Sequence, residues 1–175
     1  KESSAASDVY KRQTLIQREL PHTVVKQHDI EGGPMTITDQ FRQARDRLVA
    51  LREDYHRARE EFEWPRFEHF NFALDWFDAV AATPERADQN ALVVVEQDGS
   101  SRRLTYREMS ARSSQVANWM SSIGVRRGDR MILMLDNQVE LWESMLAGIK
   151  LGVVLLPTTT MLGPKDLDER VTRGT

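Results

Sequence analysis

An α/β fold is what this sequence predicts, and three observations carry that prediction. Two short aliphatic runs, Met131–Leu135 and Val153–Leu156, flank one helical period, Glu140–Ile149. A β-branched run from Ala91 to Glu96 ends in the turn signal Gln97-Asp98-Gly99-Ser100. Gly124 and Gly152 stand where helical patterns stop. Strand, helix and strand in so short a span make a βαβ unit, which implies parallel pairing and a sheet covered on both faces.

At 175 residues the chain is long enough for one domain with its own core. A net charge of −3 argues against nucleic acid or an anionic membrane as the main partner. The absence of cysteine excludes disulfides and thiolate metal sites. The Val153–Pro157 stretch is far short of the roughly 20 residues of a membrane span. Without a secretory leader in view, the expected location is cytoplasmic.

Residues 1–34 read as a tail. Lys1–Gln13 lacks periodicity and is similar to the translated adapters at the ends of environmental sequencing reads, so a non-native origin is expected; a disordered natural tail is the other reading. Thr14–Pro34 then reads as translated upstream sequence, and Met35 as the start. Residues 35–66 form the next unit. Phe41, Ala44, Leu48, Leu51, Tyr55, Ala58 and Phe62 recur in steps of three and four, which predicts one long amphipathic helix over 38–62. Trp64-Pro65 ends it, because the residue before proline avoids helical geometry.

Residues 67–175 form the α/β unit. Its opening holds Phe67, Phe70, Phe72, Trp76 and Phe77, read as core packing rather than a ligand pocket. After the hairpin, Thr105 and Glu108 form a capping box that starts a helix to about Ile123, with Met109, Val116, Met120 and Ile123 toward the core. Arg126–Asp129 turns the chain into the first parallel strand. Asn137 with Glu140 is read as a second cap, and Leu141, Trp142, Met145, Leu146 and Ile149 as the buried face of the next helix. Pro164-Lys165-Asp166-Leu167 opens a last helix.

Chemistry is harder to find. Neither a dinucleotide fingerprint nor a P-loop occurs. Gly32-Gly33 stands alone, and His22, His28, His56 and His69 are scattered. Only His56 falls on a predicted helix, and it has no second His or Asp at ligand spacing beyond Glu60, four residues on, so no metal site is expected. Ser113-Ser114 and Ser121-Ser122 read as helix surface, and Asp75 and Asp78 as the wet face of a helix. The residues alone yield a fold without a reaction, and no catalytic residue is assigned.

Four blocks in order resemble the AMP-forming, adenylate-forming synthetases: Leu104-Thr105-Tyr106-Arg107-Glu108-Met109; Gly128-Asp129-Arg130-Met131 with its strand; the Glu140–Ile149 helix; and Lys150-Leu151-Gly152-Val153-Val154-Leu155-Leu156-Pro157. Phe70-Asn71-Phe72-Ala73-Leu74-Asp75 and Leu156-Pro157-Thr158-Thr159-Thr160-Met161-Leu162 are similar to the medium-chain acyl-CoA and acetyl-CoA synthetase branch. The resemblance covers Phe67 onward. It implies the N-terminal part of the family's large domain, with an incomplete sheet.

It also implies a two-step reaction. A fatty or other carboxylic acid attacks ATP, with Mg²⁺ shielding the phosphates, to give acyl-AMP and pyrophosphate; coenzyme A then displaces AMP. The family's phosphate loop, nucleotide segment and catalytic lysine would lie beyond Thr175, so this stretch is expected to be inactive alone and to bind ATP, Mg²⁺ and CoA without high affinity. In the branch, the loop holding Thr160 and Met161 approaches CoA, and glutamine is common at the Met161 position. Methionine lacks amide donors, which leaves packing or backbone contact; a plain connecting loop is the other reading. A homo-oligomer is compatible with the family.

Two rivals remain. A peptide-synthetase adenylation module or an aryl-CoA ligase shares the opening blocks. A non-catalytic α/β interaction module would use the 38–62 helix to hold a partner.

Overall fold

The computed structural model describes residues 35–174. The readings made for residues 1–34, including Gly32-Gly33, His22 and His28, lie outside the described residues. The helices are α1 (Ile37–Ala50), α2 (Tyr55–Glu61), α3 (Asp78–Ala82), α4 (Pro84–Ala87), α5 (Tyr106–Ser122), α6 (Val139–Leu151) and α7 (Pro164–Gly174). The strands are β1 (Asn90–Val95), β2 (Ser101–Thr105), β3 (Arg130–Leu133) and β4 (Val154–Pro157). A π-helical turn, Phe72–Phe77, leads directly into α3.

The single long helix expected over 38–62 is two helices. Asp54 caps α2 by accepting from the Arg57 N–H at 3.0 Å, and its backbone (φ −126°, ψ 89°) cannot continue a helix. Leu51, at the end of α1, turns inward and is 3% exposed. Arg47 pairs with Glu61, although fourteen helical residues would place them about 20 Å apart along one axis. The second helix therefore doubles back. Tyr55, expected on the apolar face, is 70% exposed.

α1 is joined to the body by aromatic rings. Phe41 stacks on Phe70 and meets Trp76 edge-on, each at 5.0 Å between centroids. Arg45 lies over the Trp76 ring, and Thr38 donates to the Asp75 carbonyl at 2.6 Å. The aromatic block thus acts as a seam between α1 and the α/β unit, with Phe72 left exposed.

Two small sheets follow. β1 and β2 are antiparallel, with Val94 opposite Arg102. Val94 and Leu104 point inward onto Met109 and Val139, and Phe77, Leu92 and Leu146 pack around them. β3 and β4 are parallel, with Ile132 opposite Leu156. α6 makes the crossover between them and packs along α5 through Ala117, Met120 and Ala147. Gly148 allows the close approach of α6 to β4, since a Cβ there would meet Leu155 Cδ2 at 2.5 Å.

The Thr105–Glu108 box forms in both directions: the Thr105 side chain accepts from the Glu108 N–H, and Glu108 Oε2 accepts from the Thr105 N–H at 2.8 Å. Ile123, expected in the core, is 61% exposed because α5 ends at Ser122 and the chain turns away. The second cap does not form as expected. α6 starts at Val139 after Gln138, which makes no side-chain cap bond, while Asn137 Oδ1 instead accepts from Trp142 Nε1 at 3.2 Å.

Gly152 closes α6 in the left-handed region (φ +71°), with the Arg127 side chain against the space a Cβ would fill. Gly152→Ala is expected to lower the unfolding free energy by about 1–2 kcal/mol. Urea denaturation checks this, with a lower midpoint and an unchanged slope.

Candidate functional site

The carboxyl ends of parallel strands are where α/β folds bind ligands, because the loops leaving them splay apart. Here β3 and β4 send out the segments 134–138 and 158–163. Thr158 is buried, and its N–H donates to the Leu133 carbonyl at 2.9 Å, extending the ladder one residue past β4. The chain then turns: Thr159 Oγ1 accepts from the Met161 N–H at 3.3 Å, and Asp166 Oδ2 accepts from the Gly163 N–H at 3.2 Å. Thr160 Oγ1 donates to Asp136 Oδ1 at 2.9 Å and so links the two loops. Met161 is 88% exposed at the tip.

Thr160 and Met161 therefore sit together on the edge expected to meet ligand, one tied down and the other projecting. Asp136 escaped the sequence reading, since nothing local connects it to a threonine 24 positions later. Beside this edge, a depression of 380 Å³ lies between β4 and α7, lined by Leu156, Leu162, Asp166, Glu169, Arg170 and Arg173.

Behind the edge, α6 is held by charge. Lys150, 4% exposed, places Nζ 2.9 Å from Asp78 Oδ1. It also donates to Ser114 Oγ at 2.8 Å and to the Ser110 carbonyl at 3.1 Å. Ser110 Oγ donates to the same Asp78 oxygen at 2.7 Å. Two helical turns earlier on α6 the buried Glu143 pairs with Arg112, which holds the guanidinium still more firmly charged.

These positions correct three expectations. Asp78 is an ion-pair partner rather than a wet-face residue. Ser113 is fully buried and Ser114 half-buried, because α5 turns that face onto α6. The buried side of α6 is Val139, Glu143, Ala147, Gly148 and Lys150, with Trp142 40% exposed. A lysine inside the run Ile149-Lys150-Leu151 is the signal that could have revealed the cluster.

The cluster is saturated: among the described residues no buried side-chain nitrogen or oxygen lacks a partner. The Lys150 ammonium is held by three acceptors, which gives the cluster a structural task. Among the described residues no three His, Cys, Asp or Glu side chains converge on a metal position.

The family model for AMP-binding enzymes matches residues 78–174, more than half of the chain. The chain belongs to that family. It is 32% identical over 119 residues to the human mitochondrial acyl-coenzyme A synthetase ACSM3, covering 65% of this chain and 20% of that protein. It is 33% identical over 110 residues to the acetyl-coenzyme A synthetase of Thiobacillus denitrificans, covering 63% and 16%. The chain thus spans about a fifth or less of the length of these curated relatives. Its fold is similar to the crystal structure of CmiS6 (26% identity, TM-score 0.51, 63% of this chain and 26% of that one). It is also similar to Klebsiella oxytoca NpsA in complex with 3-hydroxyanthranilyl-AMSN (25% identity, TM-score 0.51, 59% and 20%). The mixed α/β architecture with a small, incomplete sheet is that of the N-terminal part of adenylate-forming enzymes.

Burial pushes the Lys150 ammonium below its ordinary pKa of 10.5, and Asp78 opposes the shift only in part. The unfolded chain then holds a proton that the folded chain has released, over the window between the lowered value and 10.5. Stability is therefore expected to rise with pH through that window and level off above it. Urea unfolding across alkaline pH checks this, because the rise should vanish in Lys150→Met.

Proposed function

We propose that the chain is the opening part of the large domain of an ATP-dependent acyl-CoA ligase. The family match over residues 78–174, together with 32% identity to an acyl-CoA synthetase and 33% to an acetyl-CoA synthetase, is the observation that carries this reading. The whole enzyme would join a carboxylic acid to ATP, releasing pyrophosphate, and then pass the acyl group from AMP to the thiol of CoA. A cytoplasmic location belongs to the same proposal; among the described residues no helix is long and apolar enough to cross a membrane.

Within that reaction the described residues hold shape rather than perform chemistry. In this reading Thr160 and Met161 face CoA, and their position at the carboxyl edge of the parallel strands supports it. Thr160, anchored on Asp136, sets the turn, and Met161 offers an exposed thioether for apolar contact. Mg²⁺ would enter with ATP and shield its phosphates. This stretch alone is inactive in adenylation.

The interaction-module reading would need the α1 face free for a partner. Phe41 is instead packed against Phe70 and Trp76 within the same chain, which weighs against it.

Two measurements test the proposal. Pyrophosphate exchange with a panel of carboxylic acids should stay at background for the 175-residue chain, and exchange above background would contradict its inactivity. In a methyl-labelled sample, CoA at about millimolar concentration, a weak-binding regime, should shift the Met161 ε-methyl more than those of the other six methionines. A Met161 signal that CoA leaves unmoved would overturn the assignment of this loop.

A further inference from the structure

The Phe70–Asp75 motif has a task that the reaction leaves unassigned, and it centres on Asn71. Oδ1 of Asn71 accepts from the N–H groups of Ala73 and Leu74, at 3.0 and 3.2 Å, and so opens the π-helical turn. Its own N–H donates to Asp75 Oδ2 at 2.6 Å, and its carbonyl accepts from the Asp75 N–H at 2.7 Å. That leaves Nδ2, which donates across the molecule to the Ile149 carbonyl at 2.7 Å and contacts the Lys150 carbonyl at 3.4 Å.

Those carbonyls lie in the last turn of α6, where intrahelical donors run out; that of Ile149 accepts from the Gly152 N–H at 3.0 Å as well as from Asn71. Two residues after Lys150 the chain reverses at Gly152, and β4 then runs straight to Thr158. The direction in which α6 ends therefore sets the direction of β4 and the position of the loop beyond it. On the other side of the same turn, Lys150 is fixed to Asp78, three residues past Asp75. The segment from Asn71 to Asp78 thus grips the end of α6 by its backbone and by its side chain.

We propose that Asn71 is a positioning residue for the loop Thr158–Leu162, acting through α6 and β4. The inference rests on the reading of that loop as the CoA side. Asparagine is required because one short side chain must accept locally and donate at a distance. Serine keeps an oxygen for the local cap and loses the distant donor. Aspartate also keeps the cap, but would set a third oxygen against two carbonyls at the negative end of a helix.

Hydrogen exchange on the 175-residue chain tests this with Asn71→Ser, and with Asn71→Asp as the stronger perturbation. Thr105→Ala serves as a control that weakens the fold elsewhere. Asn71→Ser should speed exchange of amides in 152–163 by about tenfold and leave the hairpin, 90–105, at its wild-type rate. Asn71→Asp should speed the same amides further. Thr105→Ala should not reproduce this localised pattern. Equal acceleration in both regions, or none in 152–163, would overturn the proposal.

The functional consequence has its own readout. Asn71→Ser should weaken the CoA-induced shift of the Met161 methyl, and an undiminished shift would also overturn the proposed role. If CoA fails to move Met161 in the wild-type chain, the CoA reading of the loop falls. The exchange pattern still decides by itself whether Asn71 holds the loop in place.

Discussion

Everything on the parallel-strand side depends on an ammonium group held away from water. Lys150 is the point at which α3, α5 and α6 meet: Asp78 supplies the counter-charge, and Ser110 and Ser114 supply the remaining acceptors. Removing an ion from water is costly, and the cost is offset only when partners of good geometry surround it. All the partners here are formed, so any sliding of α6 along α5 would strand a charge. Apolar contacts such as Ala117 with Ala147 tolerate small displacements, whereas the Lys150 cluster tolerates very few. It therefore selects one register among several that the apolar surfaces alone would accept.

That register reaches outward in a short series of steps. α6 ends at Gly152, β4 pairs with β3 from Val154 to Pro157, and Thr158 prolongs the ladder. The following turn is anchored by Thr160 on Asp136 and leaves Met161 in solvent. An exposed thioether at the edge of a parallel sheet is compatible with a surface that meets a flexible substrate. The same edge lacks any metal-binding constellation among the described residues. Under the proposed function the chain would supply scaffold and one wall of a site; its match spans only a fifth or less of its full-length relatives.

How much of this was legible in the sequence follows from the range of the forces involved. The hairpin turn at Gln97–Ser100, the Thr105–Glu108 box and the Gly152 stop are local: each is encoded within a few residues, and each appears as expected. The break at Leu51–Asp54 was missed because periodicity counts apolar residues and gives no weight to an aspartate able to cap. Glu143 and Lys150 were passed over in favour of Leu141 and Trp142, since a pattern reading sends charge outward. Their partners lie 31 residues away at Arg112 and 72 away at Asp78, and only the tertiary fold brings them within reach. In the candidate site, Thr160 and Met161 were reached through family resemblance, whereas Asp136 emerged only from the geometry.

A double-mutant cycle on Asp78 and Lys150 tests most directly whether this ion pair organises the fold. Asp78→Ala, Lys150→Met and the combination would be compared with the wild type by urea unfolding at neutral pH. A coupling energy of about 2 kcal/mol is expected, because each single change strands a partner in a half-dry site and the double change does not. Additivity within about 0.5 kcal/mol would contradict it, and would leave the register of α6 to its apolar contacts alone.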